Sequence, residues 1–188
     1  MKISTKPLEL PGLLLAEPNR FGDDRGYFEE TWNRRNFADG GIDVDFLQDN
    51  HSLSVPSGTL RGLHFQAPPH AQDKLVRCTR GSVYDVAVDI RVGSPTYGRW
   101  AGVTLSAENG QQLFIPKGFL HGFITLTKQT EVQYKCSDYY APESDGTVRW
   151  DSVGIDWPLS GDPVLSAKDA AAPHFSDFQS PFVFGEPL

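Results

Sequence analysis

The sequence predicts an all-β fold, either a barrel or a sandwich of antiparallel strands. Fourteen prolines and eighteen glycines interrupt the 188 residues at short intervals. Between them lie runs of about five to nine residues rich in Val, Ile, Phe, Tyr and Thr, the composition that strands prefer. Several runs alternate apolar and polar residues, which is the period of a strand.

Two runs show this alternation most clearly. In VYDVAVDI (83–90), Tyr84, Val86, Val88 and Ile90 share one face, and the opposite face carries two aspartates. In TEVQYKCSDYY (130–140), Val132, Tyr134 and Cys136 share a face because side chains two residues apart point the same way. We therefore expect Tyr134 to point inward.

Turn and helix signals are short. The triplet ENG (108–110) separates two strand-like runs and predicts a β-hairpin between them. RNFADGG (35–41) predicts a short helix that ends at two glycines, and SAKDAAA (166–172) predicts another that begins at Ser166. The C-terminal FSDFQSPFVFGEPL (175–188) is aromatic and interrupted by proline, as expected of an arm on a surface.

Composition suits one globular domain over residues 1–188 with N-terminal and C-terminal arms, since 39% of the residues are hydrophobic and 22% charged. The net charge of −7 comes from interspersed acids and bases, which argues against nucleic-acid binding. An anionic ligand would need a local basic pocket. The first ten residues, MKISTKPLEL, contain no signal or membrane segment, and two cysteines cannot form a disulfide framework. We expect a cytoplasmic protein that does not bind membranes.

Two motifs carry histidines at a distinctive spacing: GTLRGLHFQ (58–66) and GQQLFIPKGFLHGFIT (110–125). They resemble the two motifs of the cupin superfamily, which are small jelly-roll β-barrels that often bind a metal through three histidines and a glutamate. Gln66 stands where the resemblance places a second histidine, and Ala71 follows where a glutamate could fall. A catalytic metal usually takes three or more protein ligands, so we expect neither a metal nor another cofactor.

Further segments narrow the resemblance to one branch of the cupins. The chain resembles the dTDP-4-dehydrorhamnose 3,5-epimerases in DDRGYFEE (23–30), QDNHSLS (48–54), LRGLHFQ (60–66), residues 74–100, residues 105–123, YKCSDYYAPE (134–143), GIDWPL (154–159) and LSAKDAAAP (165–173). The resemblance implies a cupin-type jelly-roll β-barrel or sandwich with a few short helices. It also implies inversion of C3 and C5 of dTDP-4-dehydro-6-deoxy-D-glucose to give dTDP-4-dehydro-L-rhamnose, by proton abstraction beside the 4-keto group, in dTDP-L-rhamnose biosynthesis.

The resemblance also implies catalytic roles. His64 is the expected base, because histidine titrates near neutral pH, and Asp169 the carboxylate that orients it. Tyr134 is the expected acid on the opposite face of the sugar. Lys74 is expected to stabilise the enolate by its fixed positive charge, with Asp85 as a candidate partner inside the barrel.

Substrate contacts follow in the same way. Arginines bind diphosphate oxygens in bidentate fashion, and an aromatic ring can support the thymine or the sugar. An arm from one subunit is expected to complete the pocket of its neighbour in a homodimer. The matching positions are Arg25, Phe28, Glu30, Gln48, Asn50, Arg61, His121, Tyr140 and Glu143.

Each of these residues, taken alone, has an ordinary structural interpretation. His64 or Tyr134 fits a packed core, Asp169 fits the first turn of a helix, and Lys74 fits a solvated surface. His121 fits either a supporting role in the site or a purely structural one.

Other functions also fit the motifs. A relative that inverts one carbon, or a 3,4-ketoisomerase acting on the same dTDP-sugar, would keep the histidine. A metal-dependent cupin oxygenase and a non-catalytic sugar-nucleotide binder are the remaining alternatives.

Overall fold

Strands dominate the computed structural model, which describes residues 3–186. Within that range the helices are α1 (Arg34–Asp39) and α2 (Ala167–Ala170), with 3-10 turns at Pro142–Ser144 and Phe175–Asp177. The strands are β1 (Ser4–Pro7), β2 (Leu14–Glu17), β3 (Arg20–Asp23), β4 (Gly26–Glu29), β5 (Gln48–Ser54), β6 (Leu60–Gln66), β7 (Lys74–Arg80), β8 (Ser82–Asp89), β9 (Trp100–Ser106), β10 (Gln112–Ile115), β11 (Phe119–Thr125), β12 (Thr130–Cys136) and β13 (Asp145–Thr147).

These strands form two antiparallel sheets and a separate ribbon. One sheet has the order β1-β2-β10-β7-β12-β5, the other has the order β13-β6-β11-β8-β9, and β3 pairs with β4 in the ribbon. The chain passes repeatedly from one sheet to the other, so that neighbours in space are distant in sequence. The predicted all-β cupin fold is confirmed.

The alternation predicted for VYDVAVDI is confirmed in β8, but both of its faces are buried. Val86 and Val88 pack on one side in a cluster with Phe182 of the C-terminal segment. Val83 and Ala87 face the interior between the sheets. The segment predicted as a C-terminal arm thus packs Phe175, Phe178 and Phe182 on the outer face of the five-stranded sheet, and residues 187–188 lie outside the described range.

The interior between the sheets changes character along its length. An apolar core, which includes Leu113, Phe123 and Val132, fills one part. Lys74 and Tyr134 extend the inward faces of β7 and β12 beyond this core, and each lines a cavity. Tyr134 therefore points inward, as its alternation predicts. The interior is apolar at one end and polar at the other, where Lys74 and Tyr134 lie, and Tyr134 packs against the apolar core.

The predicted ENG hairpin is wrong, although its turn forms. Asn109 Oδ1 accepts hydrogen bonds from the backbone N–H groups of Ser106 and Gln111, both at 3.0 Å. Gly110 has a φ of +63°, a conformation that favours glycine. The strands on either side belong to opposite sheets, because β9 pairs with β8 whereas β10 pairs with β2 and β7. The turn residues bend the chain, but the apolar faces decide which sheet each strand joins.

Both predicted helices are present and begin at side-chain caps. Asn33 accepts hydrogen bonds from two backbone N–H groups at the start of α1, and Gly40 follows its last residue as the C-terminal cap. Ser166 Oγ accepts a hydrogen bond from the N–H of Asp169 at 3.1 Å and so begins α2. Neither helix has the length and apolar composition needed to cross a bilayer, and the same is true of all helical turns within residues 3–186.

Candidate active site

Two adjoining cavities open between the sheets at their polar end. The inner cavity has a volume of about 210 Å³ and the outer one about 500 Å³. Four side chains line both of them: His64, Lys74, Tyr134 and Lys168. Three of these four residues were predicted to be catalytic, and they come from three strands in two sheets.

His64 and Asp169 form a pair at the wall of the inner cavity. His64 lies on β6, and its Nε2 is 2.6 Å from Oδ1 of Asp169 in α2. The carboxylate side chain is 4% exposed and the imidazole 33% exposed, so the pair is anchored inside while the ring reaches the cavity. An ionised carboxylate can only accept a hydrogen bond, so Nε2 carries the hydrogen of this contact. Nδ1 then carries the lone pair that can act as a base.

Asp169 is held in its charged form. Burial opposes ionisation, but hydrogen bonds from His64, from Ser166 and from the backbone of Gly62 outweigh it and lower the pKa of the carboxyl. A carboxylate that stays ionised stabilises the imidazolium that forms when the histidine takes a proton. The geometry is that of a histidine base with an orienting carboxylate.

Burial shifts the pKa values of Tyr134 and Lys74 in opposite directions. Burial raises the pKa of the Tyr134 phenol, so the hydroxyl keeps its proton near neutral pH. Burial lowers the pKa of the Lys74 ammonium, and the opposing effects of Cys136, Asp145 and Asp85, which raise it, are smaller. The cavity therefore brings together an imidazole, a phenol that keeps its proton and the amine of Lys74.

His121 lies beside His64 and has its own carboxylate. The two histidines are opposite each other in the pairing of β11 with β6. His121 Nε2 is 3.1 Å from both carboxylate oxygens of Asp85, and both side chains are buried. Asp85 thus hydrogen-bonds to His121, whereas its effect on Lys74, the partner considered from the sequence, is that of a nearby negative charge without a hydrogen bond.

The outer cavity collects the polar and aromatic residues predicted for substrate contacts. Gln48, Asn50 and Tyr140 line it, and Arg61 lines the inner cavity. Arg61 is anchored at 3.2 Å by both Ser54 Oγ and the carbonyl of Leu53. The cavities therefore offer cationic and stacking groups for an anionic nucleotide.

Three predicted contact residues lie away from the cavities of their own chain. Arg25 extends into solvent beside Asp23, with its side chain 90% exposed. Phe28 lies on the β3–β4 ribbon and is 63% exposed. Glu30 accepts a hydrogen bond from Asn33 Nδ2 at 3.1 Å near the start of α1. The chain by itself does not bring these residues to the base.

Glu143, another predicted contact residue, does not line the cavities either. It is exposed and lines neither cavity, because it lies in the 3-10 turn before β13. Asp145, two residues later, enters the sheet opposite Gln66 and lines the outer cavity. Sequence reasoning missed Asp145 and its ion-pair partner Lys168. Lys168 directly precedes Asp169, and this adjacency was the one available signal.

Gln66, at the position that the cupin resemblance would assign to a metal ligand, hydrogen-bonds to loop backbone instead. The Gln66 side chain is buried and hydrogen-bonded to the backbone of two loops. Within residues 3–186, no three side chains of His, Cys, Asp or Glu converge on a point that could hold a metal ion.

Known proteins match nearly the whole chain. The family model described as dTDP-4-dehydrorhamnose 3,5-epimerase matches residues 7–177. A dTDP-4-dehydrorhamnose 3,5-epimerase of Salmonella typhimurium is 55% identical over 167 residues, which are 87% of this chain and 91% of that protein.

Solved structures share the fold. The Legionella pneumophila dTDP-6-deoxy-D-glucose-3,5-epimerase, in complex with dTDP-4-keto-L-rhamnose, is 44% identical with a TM-score of 0.90, covering 94% of this chain and 95% of that one. A 3'-monoepimerase of Streptomyces bikiniensis in complex with dTDP-quinovose is 36% identical with a TM-score of 0.85, covering 90% and 87%. With residues 7–177 matched by the family model, the chain belongs to the dTDP-4-dehydrorhamnose 3,5-epimerase family.

Proposed function

We propose that this isomerase inverts C3 and C5 of dTDP-4-dehydro-6-deoxy-D-glucose with His64 as base, Asp169 as its orienting carboxylate, Lys74 as the enolate cation and Tyr134 as acid. The product is dTDP-4-dehydro-L-rhamnose, a precursor of dTDP-L-rhamnose. The 2.6 Å contact between His64 Nε2 and Asp169 Oδ1, at the wall of a cavity also lined by Lys74 and Tyr134, carries this proposal.

Each step follows from the placement of one group. Nδ1 of His64 takes the proton from a carbon beside the ketone, and the electron pair moves onto the C4 oxygen. The ammonium of Lys74 stabilises the resulting enolate, in a partly buried place where a fixed charge is effective. Tyr134 then donates a proton from the opposite face, so that the configuration of the carbon is inverted.

A coupled assay tests the proposed reaction. The purified chain is incubated with dTDP-4-dehydro-6-deoxy-D-glucose and a reductase specific for the L-rhamno product, and dTDP-sugars are identified by NMR. We expect dTDP-L-rhamnose as the product. A product inverted at one carbon would instead assign the chain to the single-carbon epimerases, such as its 36% identical structural relative.

The pH profile distinguishes Lys74 from Tyr134. Burial lowers the pKa of Lys74 and raises that of Tyr134, and we therefore expect Lys74 to lose its proton first as the pH rises. We expect the fall in kcat on the alkaline side to follow Lys74. Lys74→Arg, which keeps its charge, should extend the activity to higher pH, whereas Tyr134→Phe should leave the position of this limb unchanged. A limb that disappears in Tyr134→Phe would assign it to the phenol.

We also propose that the chain works as a homodimer in the cytoplasm. Arg25 and Phe28 are exposed and line neither cavity of their own chain, and the ribbon that carries Phe28 also exposes Phe21 and Tyr27. Such a ribbon is suited to reach the cavity of a second copy. Cys78 and Cys136 are both free and buried, in keeping with a reducing compartment.

Mixing two inactive variants tests the shared site. His64→Ala lacks the base, and Arg25→Ala lacks the proposed contact from the neighbour. When the two chains are refolded together, a mixed dimer contains one intact site, so we expect about a quarter of the wild-type activity to return. The mass in solution should be about twice the 20.8 kDa of one chain. A monomeric mass, or no recovery in the mixture, would contradict the shared site.

A further inference from the structure

Gln66 holds the segment that carries Tyr140 from both sides. Gln66 Nε2 donates to the carbonyl of Tyr139 at 2.9 Å, and its Oε1 accepts from the N–H of Ala141 at 2.9 Å. The residues bonded are those immediately before and after Tyr140. The second hydrogen of Nε2 is donated to the carbonyl of His70, in the loop that follows β6.

The network determines the orientation of this amide. Both carbonyls need a donor and the Ala141 N–H needs an acceptor, so only one placement of Nε2 and Oε1 satisfies all three groups. Gln66 is 5% exposed, and both of its N–H donors are used. A buried amide with these bonds fixes the backbone that it touches, because each bond lost leaves a polar group without a partner.

Two other groups complete the support of Tyr140. Its backbone N–H donates to Gln48 Oε1 at 2.9 Å, and its hydroxyl donates to Asp145 Oδ2 at 3.1 Å. Residues 138–141 lie outside the strands, so side chains supply the bonds that a sheet would otherwise provide. Tyr140 as a whole remains 57% exposed and lines the outer cavity.

We infer that Gln66 is a positioning residue for nucleotide binding: it holds Tyr140 in the orientation in which its ring stacks on the thymine base. The inference rests on the proposed function, because a dTDP-sugar is the ligand whose thymine the exposed Tyr140 at the outer cavity would support. Gln66 lies two residues after His64 on β6, so one strand positions both the base and the aromatic platform. Holding a ring in place before binding removes part of the ordering cost of binding.

A double-mutant cycle on dTDP binding tests the inference by calorimetry. Gln66→Glu keeps the size and the acceptor of the side chain but removes both donors. We expect it to weaken dTDP binding about 10-fold, and Tyr140→Ala to weaken it roughly 10-fold to 100-fold. In the Tyr140→Ala background, Gln66→Glu should weaken dTDP binding by less than about 2-fold, because the ring that Gln66 positions is no longer present. At saturating substrate, the kcat of Gln66→Glu should stay within about 3-fold of wild type while KM rises.

Thr125→Val is the matched control. Thr125 is also buried and also joins loop backbone on two sides, accepting from the N–H of Thr59 at 3.0 Å and donating to the carbonyl of Pro56 at 3.1 Å, but it lines neither active-site cavity. It should leave dTDP affinity unchanged. If Gln66→Glu does not fold, Gln66→Met replaces it in the cycle.

The outcomes separate the inference from the function on which it rests. Equal losses from Gln66→Glu with and without Tyr140 would overturn the positioning role, even if Tyr140→Ala weakens binding. Normal dTDP binding by Tyr140→Ala would instead overturn the stacking role itself. A similar loss of affinity in Thr125→Val would attribute the effect of Gln66→Glu to general destabilisation and would also overturn the inference.

Discussion

His64→Ala is expected to lower kcat for epimerisation by about 10²-fold to 10⁴-fold, the usual contribution of a positioned general base. The loss should apply at both C3 and C5, because the proposed mechanism uses one base for both carbons. Exchange of the two carbon-bound hydrogens in D₂O, followed by NMR, measures it directly. Binding of dTDP should change little, since the imidazole is proposed to contact the sugar and not the nucleotide.

His174→Ala is a suitable control for this loss, because His174 is an exposed histidine that lines neither cavity. His174→Ala should exchange the hydrogens at C3 and C5 at the wild-type rate. Turnover of His64→Ala close to that of wild type would refute the assignment of the base. Loss of exchange at only one carbon would mean that a second base removes the proton from the other carbon. His121, which lies beside His64 and contacts Asp85, would be the candidate for that base.

Tyr134→Phe should separate proton removal from inversion. The variant keeps the ring and loses the hydroxyl, so His64 can still form the enolate but no side chain returns a proton from the opposite face. We expect inversion to fall about 10²-fold to 10³-fold, while exchange with D₂O falls at least about 10-fold less. The comparison of deuterium incorporation with formation of the L-rhamno product measures the two steps in one sample.

Tyr97→Phe provides the same chemical change at a distance from the site, since Tyr97 contacts Phe175 at the surface. It should leave both steps intact. Equal losses of exchange and inversion in Tyr134→Phe would show that Tyr134 is not the distal acid.

The parts of the fold that depend on local patterns could be predicted from the sequence. The alternation in β8 and β12 indicated strand and face correctly, and Asn33, Gly40 and Ser166 lie at helix ends where capping chemistry requires them. Pairing partners could not be predicted in this way. The ENG turn has the residues of a hairpin, yet its two strands join opposite sheets because long-range packing decides the pairing.

The candidate site shows the same division. Residues inside strong motifs, such as His64, Lys74 and Tyr134, lie together at one cavity. Glu143 and Asp145 stand two residues apart in one acidic stretch, and no local pattern indicates which of the two carboxylates enters the sheet. Gln66 was interpreted from the sequence only as a missing metal ligand, because its bonds to the Tyr140 segment join residues more than 70 positions apart and leave no local pattern.

The most direct test of the account is to follow the hydrogens at C3 and C5 of dTDP-4-dehydro-6-deoxy-D-glucose by NMR while the wild-type chain acts on it in D₂O, with the reductase present to trap the product. The proposed set of His64, Asp169, Lys74 and Tyr134 predicts deuterium at both carbons in a dTDP-L-rhamnose product. Deuterium at one carbon only, or at neither, would contradict it.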